Sequence, residues 1–222
     1  MNSERIPEAK IEFIGGAGTV TGSKTLLHTD KKVIMVDCGL FQGPRRLREL
    51  NWQKYPRINE TDMIVLTHAH IDHSGYLPKI VKDGYRGLVY CSAATAALCK
   101  IMLLDAAYLQ EEDASYAVRT RHSRHANPQP LFTRDDAHRA IDSLHVLKDD
   151  EWHNLSDQVA LRFARSGHIL GSRFVQFSFH DTYHRFVCTF SGDVGSGRSS
   201  VIKGPVSVAD SDYVVLESTY GN

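Results

Sequence analysis

The 222-residue sequence contains few cysteines, no excess of charge and no long uncharged hydrophobic run. Its four cysteines are widely spaced and form no Cys-x-x-Cys pair, so a disulfide scaffold is disfavoured, and buried, reduced thiols in the cytoplasm are expected. The 26 basic side chains are balanced by 26 acidic ones. This balance disfavours a nucleic-acid binder with one strongly basic surface, although it allows a locally positive cleft.

Signals for export or membrane insertion are also lacking. Residues 1–10 are polar, include Pro7 and contain no apolar segment behind a basic one, so no secretory signal is visible. The most apolar long stretch, residues 93–109, has helical periodicity and is interrupted by Lys100 and Asp105. We therefore expect a core-facing helix there and no membrane span.

What the sequence does contain is an alternation of short β-rich runs and helical segments. Its length and its 42% of hydrophobic residues suit a globular protein of one domain or slightly more. Strands are predicted at residues 10–14, 24–28, 33–36, 63–67, 87–91, 158–164, 173–179, 185–190 and 212–216, and helices at residues 76–82, 92–112 and 133–144. Ser92 and Thr133 are the expected caps of the last two helices. This alternation predicts an α/β protein with helices packed on a sheet.

One segment, residues 114–134, is rich in basic side chains and contains no acidic one. The residues concerned are Arg119, Arg121, His122, Arg124, His125 and Arg134. We expect this segment to form an exposed loop between two helices. Two roles remain open for it, a simple solvated connection and an electrostatic contact for a polyanion.

The strongest chemical signal is the run His68-Ala69-His70-Ile71-Asp72-His73, which follows a predicted buried strand. Side chains at positions i and i+2 of an extended segment point to the same side, so His68 and His70 can bind one metal ion together. Imidazole with carboxylate suits zinc, iron or manganese in a hydrolytic site. The alternative, a solvated histidine-rich turn, explains the placement at a strand end less well.

Two further candidate ligands lie far along the chain. His168 stands between Gly167 and Gly171 at a break between two predicted strands, and Asp193 follows a strand that ends in a glycine turn. Taken alone, His168 would be an ordinary hydrogen-bonded histidine and Asp193 a turn-capping aspartate. Next to the histidine-rich run, both become candidate metal ligands.

In this order, the motifs resemble those of the metallo-β-lactamase fold and, within it, of the β-CASP nucleases that process RNA. The similarity runs from about Ile11 to Asn222. It rests on a glycine-rich hairpin at residues 16–23, on Asp37 after an early strand, on the His68-to-His73 run, and on His168 and Asp193. The final residues 216–222 are similar to the acidic motif that opens the β-CASP part, with Glu217 as its carboxylate.

The resemblance implies an αββα metallo-β-lactamase fold, incomplete at the carboxyl end, and hydrolysis of phosphodiester bonds in single-stranded RNA with two zinc ions. The first zinc would be held by His68, His70 and His168, the second by Asp72 and His73, and Asp193 would bridge them. Besides Asp72, two carboxylates would serve catalysis. Asp37 would orient ligands, and Glu217 would pair with a histidine that protonates the leaving group.

Nucleases of this family continue after the counterpart of Glu217 with a β-CASP region, which supplies that histidine and another ligand of the second metal. We therefore expect residues 1–222 to be the amino-terminal metallo-β-lactamase part of a longer enzyme. Such a chain would fill the first metal site, hold the second metal weakly and cleave RNA poorly or not at all by itself. An exposed sheet edge could also pair two copies into a homodimer.

Three alternatives remain open. A β-CASP enzyme acting on DNA would carry the same motifs, although residues 217–221 resemble the RNA-processing branch more. A small-molecule metallohydrolase, such as a thioesterase or lactonase, would not need the motif around Glu217. A non-catalytic RNA-binding subunit is disfavoured because competent residues fill every ligand position that the chain contains.

Overall fold

The computed structural model describes residues 9–29, 31–120, 128–180, 185–208, 211–219 and 221. Its first sheet has six strands, which follow one another in chain order. They are β1 (Lys10–Gly15), β2 (Lys24–His28), β3 (Val33–Val36), β4 (Met63–Val65), β5 (Leu88–Cys91) and β6 (Leu144–Val146). The first three pair antiparallel, as the predicted hairpins require, and β3 to β6 run parallel.

The second sheet has five strands in the order β11, β10, β9, β8, β7. These are β7 (His153–Asn154), β8 (Val159–Arg165), β9 (Arg173–His180), β10 (Arg185–Phe190) and β11 (Tyr213–Val215). Neighbours pair antiparallel except β10 and β11, which are parallel. The two sheets face each other across an apolar core that includes Ile34, Val65, Phe163 and Phe177.

Helices cover the opposite face of the first sheet. The α-helices of the described chain are α1 (Arg45–Arg48), α2 (Ile71–Ser74), α3 (Leu77–Lys82), α4 (Ala93–Thr120) and α5 (Arg134–Asp142). A second apolar core joins them to the sheet, with Leu26 and Ile64 from strands and Leu77 and Leu103 from helices. The described residues thus form the α, β and β layers of the expected mixed sandwich. All four cysteines are buried and free, as predicted for reduced thiols.

The parallel strands β3, β4 and β5 determine where the polar residues meet. Because parallel strands end at the same edge of a sheet, the residues that follow them lie side by side. Asp37 follows β3, Thr67 and His68 follow β4, and Ser92 follows β5. The expected capping box at Thr133 and the amino-terminal cap at Ser92 are both formed.

The basic segment 114–134 is not the continuous loop that we expected. Helix α4 continues to Thr120, eight residues beyond the predicted end at Glu112. Residues 113–120 contain neither glycine nor proline, and an established helix extends more readily than a new one starts. Residues 121–127, with Arg121, His122, Arg124 and His125, lie outside the described part of the chain.

By length and composition alone, α4 is long and apolar enough to cross a membrane, and 28% of its most apolar stretch is buried. The core helix of a soluble protein meets the same criteria. Thr95, Ala96, Cys99, Leu103 and Ala107 lie on the buried side of α4. The predicted core-facing helix is therefore present.

Lys24 on β2 is buried without a carboxylate partner in the described residues. Its ammonium lies 4.4 Å from the centre of the Phe41 ring and 4.8 Å from that of Tyr76. Burial lowers its pKa from 10.5 to about 8. A lysine that binds its proton less tightly in the folded than in the unfolded chain destabilises the fold wherever the unfolded chain is still protonated.

We expect Lys24→Met to raise the free energy of unfolding by about 2 kcal/mol at pH 7. The difference between the two chains should shrink as the pH rises from about 8 to 10.5, because the folded wild-type chain then releases the proton of Lys24 while the unfolded chain still carries it. Urea unfolding at several pH values measures it. A difference that does not change with pH would show that the charge of Lys24 is not the cause.

Candidate metal centre

The histidine-rich run lies where β4 ends and α2 begins. His68 is fully buried, whereas His70 and Asp72 are partly exposed. Two loops from the second sheet reach the same place, one between β8 and β9 with His168 and one after β10 with Asp193. The six predicted metal ligands therefore meet at one edge of the sandwich.

Four of these side chains form a compact donor group. One donor atom each from His68, His70, His168 and Asp193 lies within 4.8 Å of all the others. The Nδ1 atom of His70 is 3.1 Å from Nε2 of His68 and 3.2 Å from Nε2 of His168. Roughly 3.3 Å is the ligand separation in a tetrahedral zinc site with bonds near 2.0 Å. Three imidazoles and a carboxylate at this spacing fit a zinc ion.

Asp193 faces a second group of donors with its other oxygen. Its Oδ2 lies 3.3 Å from Nε2 of His168 and 3.6 Å from Nε2 of His68. Its Oδ1 lies 3.2 Å from Nε2 of His73, and that nitrogen is 3.9 Å from Oδ2 of Asp72. The carboxylate of Asp193 is thus placed between two donor groups, one with three other ligands and one with two.

Asp37 contacts the metal centre through hydrogen bonds that position its ligands. It has a left-handed backbone with φ of 59° and is almost fully buried. Its Oδ2 is 2.7 Å from Nδ1 of His73, and its Oδ1 accepts the Thr67 N–H at 2.8 Å. The Thr67 hydroxyl contacts Asp37 and also lies 3.0 Å from Nδ1 of His68. Asp37 therefore orients one imidazole directly and a second one through Thr67.

The electrostatics of the centre differ from one histidine to the next. Burial lowers the pKa of His68, which keeps the ring neutral and its Nε2 free to bind a metal. Burial alone would also lower the pKa of His73, but Asp37 and Asp193 more than offset it and raise that pKa to about 10. Although burial opposes it, the nearby histidines, His73 first, lower the pKa of Asp193 to about 2. Metal binding at Nε2 of His73 therefore requires a proton to leave.

A model of the metallo-beta-lactamase superfamily matches residues 17–200. The chain belongs to that superfamily. The predicted fold is thereby confirmed.

Similar proteins carry names from RNA metabolism. The chain is 35% identical to ribonuclease TTHA0252 of Thermus thermophilus over 96% of its own length and 44% of that protein. It is 31% identical to transcription termination factor FttA of Cenarchaeum symbiosum, covering 96% of the chain and 32% of that factor. It is 24% identical to endoribonuclease YSH1 of Saccharomyces cerevisiae, covering 96% and 26%. The chain spans less than half the length of these relatives.

Among solved structures, the chain is similar to the Rm3 metallo-beta-lactamase. The alignment covers 89% of this chain and 67% of that one, with 18% identity and a TM-score of 0.47.

In this member of the metallo-beta-lactamase superfamily, hydrogen bonds join the loop that carries His168 to the loop that carries Asp193. The N–H of Gly195 donates to the carbonyl of Ser166 at 2.9 Å, and the Ser166 hydroxyl donates to the carbonyl of Asp193 at 3.1 Å. A Cβ atom on Gly195 would lie 1.8 Å from the carbonyl oxygen of Gly167, so only glycine allows this approach. His168 and Asp193 are therefore held at a fixed separation.

Glu217 lies in the wall of a cavity of about 370 Å³ that also contains Asp37, His73 and Asp193. Its Oε1 accepts the N–H of Val194 at 2.6 Å, and its Oε2 accepts the Thr219 hydroxyl at 2.9 Å. Glu217 thus contacts the residue next to Asp193 through the backbone. The last residues of the predicted acidic motif, Tyr220 and Asn222, lie outside the described residues.

Three hydroxyl residues of the site were missed from the sequence. Thr67 links Asp37 to His68, and Ser92 and Thr95 both donate to the carbonyl of Gly171, at 2.8 and 3.0 Å. Ser92 and Thr95 therefore connect the loop of His168 to the start of α4. A signal for Thr67 exists, since it stands at the end of a strand next to the strand that Asp37 follows. For Ser92 the helix cap was visible, but its contact 79 residues away was not.

Proposed function

We propose that the chain is the metal-binding part of a zinc-dependent nuclease of the β-CASP type, which hydrolyses phosphodiester bonds in RNA. The observation that supports it most is the donor arrangement around Asp193, with four donors within 4.8 Å and a second group on its other oxygen. The names of the similar proteins, a ribonuclease and an endoribonuclease, point to RNA as the substrate.

Each residue has a defined part in this proposal. His68, His70 and His168 would hold one zinc ion, Asp72 and His73 the other, and Asp193 both. Zinc at these residues supplies a bound water of near-neutral pKa and a positive charge that stabilises the phosphoryl oxygens. Because the first group has more protein donors than the second, it should bind zinc more tightly.

The remaining carboxylates act on the ligands. Asp37 keeps a proton on Nδ1 of His73, which leaves Nε2 as the donor that faces Asp193 and Asp72. Glu217 holds the N–H of Val194 and so positions the backbone beside Asp193. Both are positioning residues in this proposal, and the pairing of Glu217 with a histidine that protonates the leaving group stays a prediction.

The test is metal-dependent cleavage of matched RNA and DNA strands by the purified chain. Zinc content is measured by mass spectrometry during the titration. We expect one zinc ion to bind first, RNA cleavage to require further zinc, a chelator to stop it, and DNA to be cut more slowly. Intact RNA at every zinc level, together with turnover of a thioester or lactone, would favour the small-molecule hydrolase instead. RNA binding by a chain that takes up no zinc would favour a binding subunit.

A further inference from the structure

A groove of about 600 Å³ lies outside the metal centre, between α4 and the segment that contains α1. Ile71, one of the residues that line it, directly precedes Asp72 of the donor cluster. Trp52 lines the wall next to α1, and Leu109 lines the wall formed by α4. The groove and the donor cluster therefore share the short helix α2, with Ile71 in the lining of the groove and Asp72 in the cluster.

Trp52 is 56% exposed, which is unusual for the largest apolar side chain. It is the last residue of a short 3-10 helix, Glu49–Trp52, in which the preceding residue, Asn51, is buried. The side chain of Asn51 accepts the N–H of Phe41 at 2.9 Å and donates to the carbonyl of Phe41 at 2.8 Å. An indole on a fixed turn offers a flat surface for stacking without a large loss of entropy on binding.

The arginines of α1, the helix that directly precedes the 3-10 helix of Trp52, supply positive charge. Arg45 is paired with Glu49 at 2.6 Å. Arg46 and Arg48 are exposed, and no carboxylate in the described part of the chain forms an ion pair with either of them. Arg48 lines the groove itself. Unpaired guanidinium groups are suited to bidentate contacts with phosphate.

The opposite wall has a different character. It is formed by α4 and contains Met102, Leu109 and one acidic residue, Asp105. A carboxylate repels phosphate, so a bound nucleic acid would have its phosphates on the wall of Arg48 and its bases towards the apolar side chains. An exposed aromatic ring, unpaired arginines and apolar surface are the features that bind unpaired bases and their backbone.

We propose that this groove binds a single-stranded part of the RNA substrate, with a base stacked on Trp52 and phosphates at Arg48, which lines the groove, and at Arg46 on the same helix. The inference rests on the proposed nuclease function. A double helix would not suit the site, because its bases are already stacked and cannot lie against Trp52. A protein partner is a less suitable occupant, since it would have to neutralise two free arginines as well as cover the apolar wall.

The experiment measures RNA binding and metal-centre chemistry separately. Binding of the zinc-loaded chain to a labelled, nuclease-resistant single strand of about 20 nucleotides is followed by fluorescence anisotropy. Hydrolysis of bis(p-nitrophenyl) phosphate, which is too small to reach the groove, reports on the metal centre. The variants are Trp52→Ala, Trp52→Phe and the double variant Arg46→Gln with Arg48→Gln. Trp152→Ala is the matched control, because Trp152 also lies beside an arginine, Arg162, but on the second sheet.

We expect Trp52→Ala to weaken RNA binding about 10-fold and Trp52→Phe to restore most of it. The double arginine variant should reduce the dependence of log K on log salt by about 1.4, the value for two phosphate contacts on a single strand. Hydrolysis of the small diester should not change in any of them, and Trp152→Ala should bind RNA normally.

Other outcomes separate the groove from the function. Normal RNA binding by all groove variants, with the small diester still hydrolysed, would overturn the groove and leave the nuclease proposal standing. Loss of both readings would show that the substitutions act on the metal centre, which also counts against the groove. If the wild-type chain binds RNA through Trp52 and the arginines but takes up no zinc, the groove is supported and the nuclease proposal fails. A wild-type chain that binds no RNA overturns the groove.

Discussion

Replacing Asp193 with asparagine is expected to reduce zinc-dependent RNA cleavage by about 10³-fold or more, which corresponds to about 4 kcal/mol of transition-state stabilisation. Asp193 faces both donor groups, with Oδ2 towards His168 and Oδ1 towards His73. Its low pKa keeps it charged at any working pH. An amide has one oxygen donor and no charge, so it cannot serve both groups.

The fold should not suffer from this substitution. The contacts that fasten the loop use the backbone around Asp193, namely its carbonyl with Ser166 and the Val194 N–H with Glu217. The measurements are zinc content, RNA cleavage and thermal unfolding. Asp135→Asn, an exposed aspartate at the start of α5, is the matched control. Two tightly held zinc ions and normal cleavage in Asp193→Asn would refute the bridging role.

The sequence predicted the parts of the fold that have strong local signals. The antiparallel hairpin of β1 and β2, the buried strand β4 and the capped start of α5 all have such signals, and each was confirmed. The strand β6 was missed because the preceding helix was predicted to run to Leu144, the first residue of β6, and the next two residues were assigned to no element. Such a short strand is determined by its pairing with β5, which is not visible in local periodicity.

The candidate site was predictable for a different reason. Motif order along the chain identified His168 and Asp193, although they are 98 and 123 residues from His70. The order of the motifs could not predict the contacts that position the ligands. The two oxygens of Asp193, the hydroxyl of Thr67 between Asp37 and His68, and the contact of Glu217 with Val194 depend on how loops from two sheets meet. Long-range packing of this kind leaves no periodic trace in the sequence.

The second large effect is expected at Asp37. We predict that Asp37→Asn weakens zinc binding by about 10- to 100-fold, mainly at the group that contains His73. Asparagine tolerates the left-handed backbone at this position, so the φ of 59° can be kept. The substitution changes which nitrogen of the His73 ring carries the proton. Asp37 accepts the proton of Nδ1 on His73, whereas an amide N–H₂ placed there would donate to Nδ1 and move the ring proton to Nε2.

A ring that carries its proton on Nε2 cannot use that atom to bind a metal, although every side chain of the donor groups is still present. The tautomer of His73 is therefore the decisive measurement, and nitrogen NMR of labelled histidine reports it. Thr67→Val is the comparison variant, because it removes the hydroxyl that links Asp37 to His68 and leaves the contact with His73 in place. It should weaken zinc binding less than Asp37→Asn does, and mainly at the group of His68. If the two variants affect both groups equally, Asp37 stabilises the loop as a whole and does not select the tautomer of His73.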